Sequence, residues 1–159
     1  MKLAKLSLKV VITSLFLIIQ SSLYNPTQAQ APAIEWQNTI GGSFSDELQS
    51  INQTSDGGYI LGGYSNSGIS GDKTEASQGG FDYWVVKINS LGVIEWQNTI
   101  GGSSIDQLQS INQTSDGGYI LGGYSSSGLS GDKTEGSQGN EDYWVVKLNS
   151  LGVIEWQNT

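Results

Sequence analysis

The feature that most constrains this chain is self-repetition. Residues 34–93 read IEWQNTIGGSFSDELQSINQTSDGGYILGGYSNSGISGDKTEASQGGFDYWVVKINSLGV. Residues 94–153 repeat that sentence with nine substitutions in sixty positions, and Ile154 to Thr159 open it a third time as IEWQNT. A fixed period of this length marks a repeat architecture, in which each unit is one supersecondary module that buries its apolar surface on its neighbours. Near-identical copies also leave few unique positions, and an active site built from several different residues needs unique positions.

Each sixty-residue unit divides into four short strand candidates. In the first unit they are Leu48 to Thr54, Tyr59 to Tyr64, Asp82 to Asn89 and Val93 to Ile100. Trp84, Val86 and Ile88 share one face at period two, as do Ile94, Trp96 and Ile100. Asp56-Gly57 is a favoured two-residue hairpin turn, because both positions tolerate positive φ. Asn89-Ser90-Leu91-Gly92 supplies a second turn, and a Gly/Ser-rich loop runs from Ser65 to about Gly80. No segment has a helical period. Four antiparallel strands per repeat is the pattern of a propeller blade. The expected fold is therefore all-β, with tandem four-stranded antiparallel blades forming a partial β-propeller of about two blades. A β-sandwich or a solenoid are the alternatives, although solenoid rungs are shorter than sixty residues. Trp84 and Trp96 are expected in blade-to-blade packing, and Gly62 and Gly63 where backbones approach closely near a crowded axis.

The runs TSDGGYILGGYS, DYWVVKINSLGVIEW and QNTIGG resemble the Gly-rich, propeller-like repeats of large exported bacterial proteins. Those repeats read as a TSDGGYI hairpin, a D-x-W-x-V-K strand, an N-x-x-G turn and a W-x-x-T-x-GG exit. The resemblance covers both copies. It implies the blade fold and an exported bacterial setting. Family members often carry many copies and end in a type IX secretion sorting domain, and no such domain is recognisable here. Some relatives are loosely described as polysaccharide-degrading, but the resemblance carries over no catalytic residue.

The N-terminus has a different character. Lys2, Lys5 and Lys9 precede the apolar run of ten residues from Val10 to Ile19, and Thr27-Gln28-Ala29 offers small residues where a signal peptidase reads. This is the layout of a secretory signal peptide at 1–29, followed by a short linker at 30–33. The apolar run is half of what a spanning helix needs, roughly 20 residues. The destination is thus secreted or cell surface, without a membrane span once the signal is removed. The chain has no Cys, so no disulfide framework accompanies export. Seven Lys and no Arg stand against fifteen acidic residues. Loss of the leader removes three of those Lys and leaves a formal charge of about −11. So acidic a chain repels phosphate backbones, and nucleic acid is not an expected partner.

Elimination narrows the chemistry. Without Cys or His there is no thiol nucleophile, no imidazole base, no Ser-His-Asp triad and no His-based zinc site. A carboxylate pair for glycoside hydrolysis could come from Asp46 with Glu47, Asp72 with Glu75, or Glu141 with Asp142. Repetition of Asp46, Asp72 and Glu75 as Asp106, Asp132 and Glu135 suits structure better than a single active site. No cofactor is expected. Ser70 to Glu75 is a calcium-like segment, and Lys73 between its two acids argues against a dense cation cage. Eight of the nine substitutions between copies fall in the long loop and the connection between blades, which a blade places at one end. Loops on a rigid scaffold commonly carry binding. The candidate ligand-binding set on that face is Phe44, Asn66, Asp72, Glu75 and Phe81, with Ser104, Asp132, Glu135, Asn140 and Glu141. The alternative is that exposed loops simply drift.

The sequence therefore leads to the expectation of a non-catalytic, exported repeat module for surface binding or display, with an unknown protein or glycan ligand. The alternatives are a fragment of a polysaccharide-binding or polysaccharide-degrading exported protein, and a structural spacer without a ligand. The units are repeat 1 at 34–93, repeat 2 at 94–153 and a third start at 154–159. Propellers close with about 4–8 blades. Truncation of a longer array, self-association through open blade edges, and a two-blade stack are the three arrangements this leaves open. Truncation is favoured, because the stop falls within a repeated motif.

Overall fold

A computed structural model describes residues 30–159. The chain divides after Ile34, and the expected signal peptide at 1–29 lies outside the described residues. The unit Glu35–Thr159 contains eight strands and no helix among the described residues: β1 Asp46–Gln53, β2 Tyr59–Ser65, β3 Asp82–Ile88, β4 Ile94–Ile100, β5 Asp106–Gln113, β6 Tyr119–Ser125, β7 Asp142–Leu148 and β8 Ile154–Asn158. They form two four-stranded antiparallel sheets, β1-β2-β3-β4 and β5-β6-β7-β8, each in sequence order. The protein is all-β and has two blades.

The turns differ in detail from expectation. Thr54 O accepts from Gly57 N at 2.9 Å, Thr54 N donates to Gly58 O at 2.9 Å, and only Gly57 has positive φ, at 84°. This is a three-residue hairpin loop closing on a left-handed glycine, not a two-residue turn with two left-handed positions. Asn89 to Val93 repeats the pattern, with Gly92 at φ 79°.

Between sheets, alternation decides burial. Ile60, Tyr83, Val85 and Ile100 on one face of blade 1 merge with Leu108, Ile111, Leu121, Trp144 and Val146 of blade 2 into a single buried cluster. The other face of blade 1 carries Trp84, Val86 and Ile88, packed by Ile40, Tyr59, Leu61 and Ile94. Central strand β3 is buried at every position, because both its faces are covered. Trp96 meets Tyr119 of the next blade edge-on at 5.7 Å, as blade-to-blade packing requires. Gly62 is small because the neighbouring blade sits on it: a Cβ there would lie 2.7 Å from Leu108 and 2.8 Å from Ile111. The close approach is thus sheet to sheet.

The first IEWQNTI, residues 34–40, is not a strand, although the same heptapeptide forms β4 at 94–100. A strand needs a ladder partner, and β4 has β3 beside it, with Val86 opposite Gln97 and Trp84 opposite Thr99. Among the described residues no strand pairs with the first copy. Its side chains nevertheless take β4-like positions. Trp36 packs edge-on against Tyr59 at 5.9 Å, and Asn38 Nδ2 donates to Gly92 O at 3.0 Å. The second copy does the same one blade later, with Trp96 on Tyr119 and Asn98 Nδ2 on Gly152 O at 2.8 Å.

Candidate functional site

Strand order places the turns 54–58 and 89–93 at one end of blade 1, and the loop 66–81 with the connection 101–105 at the other. The loop end is where the sequence places its candidate residues. Their polar groups there are largely engaged in holding the chain together. Asp72 Oδ2 accepts from Gly41 N at 3.2 Å, and Glu75 Oε2 accepts from Thr99 N at 2.8 Å. In the second blade Asp132 Oδ2 accepts from Gly101 N at 3.2 Å and from Gln78 Nε2 at 2.5 Å, and Glu135 Oε2 accepts from Thr159 N at 2.9 Å. Asn66 Oδ1 accepts from Ser45 N at 3.0 Å, and Ser104 Oγ lies 3.1 Å from Ser126 Oγ. Phe81 packs edge-on against Tyr64 at 5.3 Å. Phe44 is 70% exposed, and Asn140 and Glu141 are exposed. The ten residues are strung along this end and line neither of the two clefts described below.

Beneath the loop lies an ammonium that the sequence reading left without a role. Lys73 is 1% exposed, donates to Thr99 Oγ1 at 2.5 Å and stands 5.4 Å from the centre of the Trp84 ring. Burial pulls its pKa below the usual lysine value, opposed by the charges of Asp82, Asp46 and Glu75. Gln97 ties the same corner: its Oε1 accepts from Trp84 Nε1 at 3.1 Å and from Thr74 N at 3.2 Å. Lys133, Trp144 and Gln157 rebuild the corner in blade 2. Among the described residues, no group of three or more Asp, Glu, His or Cys is arranged to hold a metal ion. The two acids of the calcium-like segment point at separate main-chain amides.

The divergent positions fall at the joint between blades. Gly80 N donates to Ser104 O at 2.7 Å, and Asp106 N donates to Phe81 O at 2.6 Å. Gly80, Phe81, Ser104 and Ile105, four of the residues that differ between copies, therefore meet along this seam. Two aspartates flank it, each fully buried: Asp82 Oδ2 accepts from Gln78 N at 2.5 Å, and Asp106 Oδ2 accepts from Gly102 N at 2.7 Å and from Ser127 Oγ at 2.9 Å. Oδ1 of each lacks a hydrogen-bond partner. Burial, reinforced by the charge of Asp106, pushes Asp82 up to about 6.

The turn end offers a different surface. A cleft of about 390 Å³ opens between the blades, lined by Asp56, Lys87, Glu95, Trp96, Gln113 and Tyr119 among others. Lys87, 2% exposed, reaches Asp56 Oδ2 at 2.9 Å, Glu95 Oε2 at 2.7 Å and Ile88 O at 3.2 Å, which uses all three of its protons. The Thr54 hydroxyl, Lys87 and Gly58 N together hold the Asp56 carboxyl well below the usual range. Gln113 Oε1 accepts from Ser55 N of the other blade at 2.8 Å. Sequence reasoning took Asp56 as a turn residue and missed this cleft. The available signal was that D-G-G-Y, V-V-K and I-E-W all end at the same edge of the sheet, which brings an acid, a lysine, a second acid and two aromatics together.

No protein-family model matches the chain, and no curated protein matches it.

Proposed function

We propose that the chain is an exported, non-catalytic β-propeller-type repeat module that binds a glycan in the turn-end cleft between blades. The observation that carries this reading is the composition of that cleft. Trp96, half-buried, supplies apolar ring surface backed by the buried ring of Tyr119, and Asp56, Glu95 and Gln113 surround it with polar groups. Binding sites combine apolar walls with a few placed polar groups in this way. The loop-end acids favour binding over hydrolysis, since Asp72, Glu75, Asp132 and Glu135 each satisfy a main-chain amide. The likeness of the TSDGGY and DYWVVK runs to repeats of large exported bacterial proteins supports export and surface display.

The test is titration of the purified chain with a panel of oligosaccharides, followed by tryptophan fluorescence. Saturable quenching by one glycan class is expected, and Glu95→Gln should weaken it. Quenching that Glu95→Gln leaves intact removes the cleft from the reading. Absence of binding across the panel leaves a spacer without a ligand.

A further inference from the structure

The joint between the two blades is built from parts that the outer faces carry again, several of them uncovered. At the joint, blade 1 offers a hole at Gly62, filled by Leu108 and Ile111 of blade 2. Tyr83 Oη donates to Trp144 O at 3.0 Å, with the two rings 4.9 Å apart. Asn52 Nδ2 donates to Ile111 O at 2.5 Å. On the outer face of blade 2 the same hole stands open: a Cβ on Gly122 would meet nothing within 4 Å, and Tyr143, counterpart of Tyr83, is 86% exposed. A groove of about 410 Å³ runs there, lined by Gly122, Tyr143 and Val145 among others. On the opposite face of blade 1 the matching knobs are bare, Leu48 at 56% and Ile51 at 51% exposure, while Leu108 and Ile111 are fully buried.

We propose that the outer face of blade 2 docks on the outer face of blade 1 of a second copy of this chain, reproducing the internal joint head to tail. The proposal rests on the two-blade architecture and not on the glycan reading. In the docked pair Leu48 and Ile51 fill the hole at Gly122, and Tyr143 lies on Trp84 as Tyr83 lies on Trp144. The new contact continues an interface that the fold already forms from the same residues.

Two further observations fit this occupant. The position beside Tyr59 and Gly92 that the incoming β8 must take is held by Trp36 and Asn38, from the first IEWQNT. β8 with Thr159 has that same sequence, so the exchange replaces like with like, as in domain swapping. The substitutions at the seam also compensate in size. At the internal joint a Cβ on Gly80 would lie 3.1 Å from Ile105. Between copies the corresponding residues are Asn140 and Ser45, the larger side chain now facing the smaller. A head-to-tail contact either closes into a ring or grows. Propellers of about 4–8 blades correspond to rings of about two to four copies.

Sedimentation velocity on the purified chain, over a hundredfold range of concentration, tests the proposal. A discrete oligomer is expected, strengthened by salt because the monomers are strongly acidic. Gly122→Leu fills the open hole without touching the internal joint. It should keep the circular dichroism and melting temperature of the monomer and weaken association about tenfold or more. A mixture of the single variants Leu48→Cys and Gly122→Cys, oxidised together, reads the same contact independently in a chain with no other thiol. It should yield the mixed disulfide, with neither variant cross-linking alone. A chain that stays monomeric throughout, an oligomer that a folded Gly122→Leu leaves intact, or Leu48→Cys pairing with itself would each overturn the proposal.

Discussion

Replacing Asp82 by Asn should make the protein more stable near neutral pH. Asp82 is fully buried at the seam, one carboxylate oxygen lacks a partner, and burial is the first cause of its rise to about 6. The unfolded chain ionises near 3.8. A folded-state pKa above the unfolded one means that the native state holds the extra proton between those values. Stability is therefore greatest below about pH 4 and falls as pH rises through 6. A shift of about two units corresponds to about 3 kcal/mol at pH 7, at about 1.4 kcal/mol per unit. Asn keeps an oxygen for the Gln78 and Gly79 amides and removes the buried charge. The cost on the other side is the loss of a counter-charge for Lys73, which retains Asp46 and Glu75. The net expectation is a stabilisation of about 1–3 kcal/mol at pH 7 that shrinks to well under 1 kcal/mol at pH 4. Urea unfolding of Asp82→Asn and the parent across pH 4–7, at one low protein concentration, measures it. Asp142→Asn is the control, since Asp142 sits at the same repeat position but is only partly buried. If Asp82→Asn instead loses stability on going from pH 4 to pH 7 relative to the parent, attraction to Lys73 outweighs burial and the reasoning fails.

The duplicated sequence allows further paired tests. Tyr83→Phe should cost about 1 kcal/mol by removing the hydrogen bond to Trp144 O, while Tyr143→Phe, 86% exposed, should leave urea unfolding unchanged. Gly62→Ala should cost about 1–3 kcal/mol, because its new methyl lies within 2.8 Å of Leu108 and Ile111, whereas Gly122→Ala enters open space and should be near neutral in thermal melts. Asp56 carries the opposite pH sign to Asp82. Its folded pKa is depressed, so its contribution is present above about pH 4 and lost below, and Asp56→Asn should flatten the acid limb of a pH-stability curve. Together the two aspartates make their greatest joint contribution to stability near pH 4.

The sequence by itself determined the all-β class, four strands per sixty residues, the positions of the turns and the blade-to-blade packing of Trp96, whereas Trp84 lies on the face of blade 1 away from blade 2. These follow from local rules: alternation at period two, Gly and Asn at turns, and a repeat length suited to one blade. Only the tertiary structure decided what each identical segment does. IEWQNTI at 94–100 is a strand because β3 lies beside it, and at 34–40 it is not. Leu108 is fully buried and Leu48 is 56% exposed, although both lie in the same repeat position. Asp72 and Glu75 looked like free acids along the chain, yet each meets an amide more than twenty residues away. The turn-end cleft escaped notice because its walls come from the ends of strands in two blades. Burial, ladder pairing and charge compensation depend on neighbours across space, and in a tandem repeat those neighbours differ between copies even where the sequence does not.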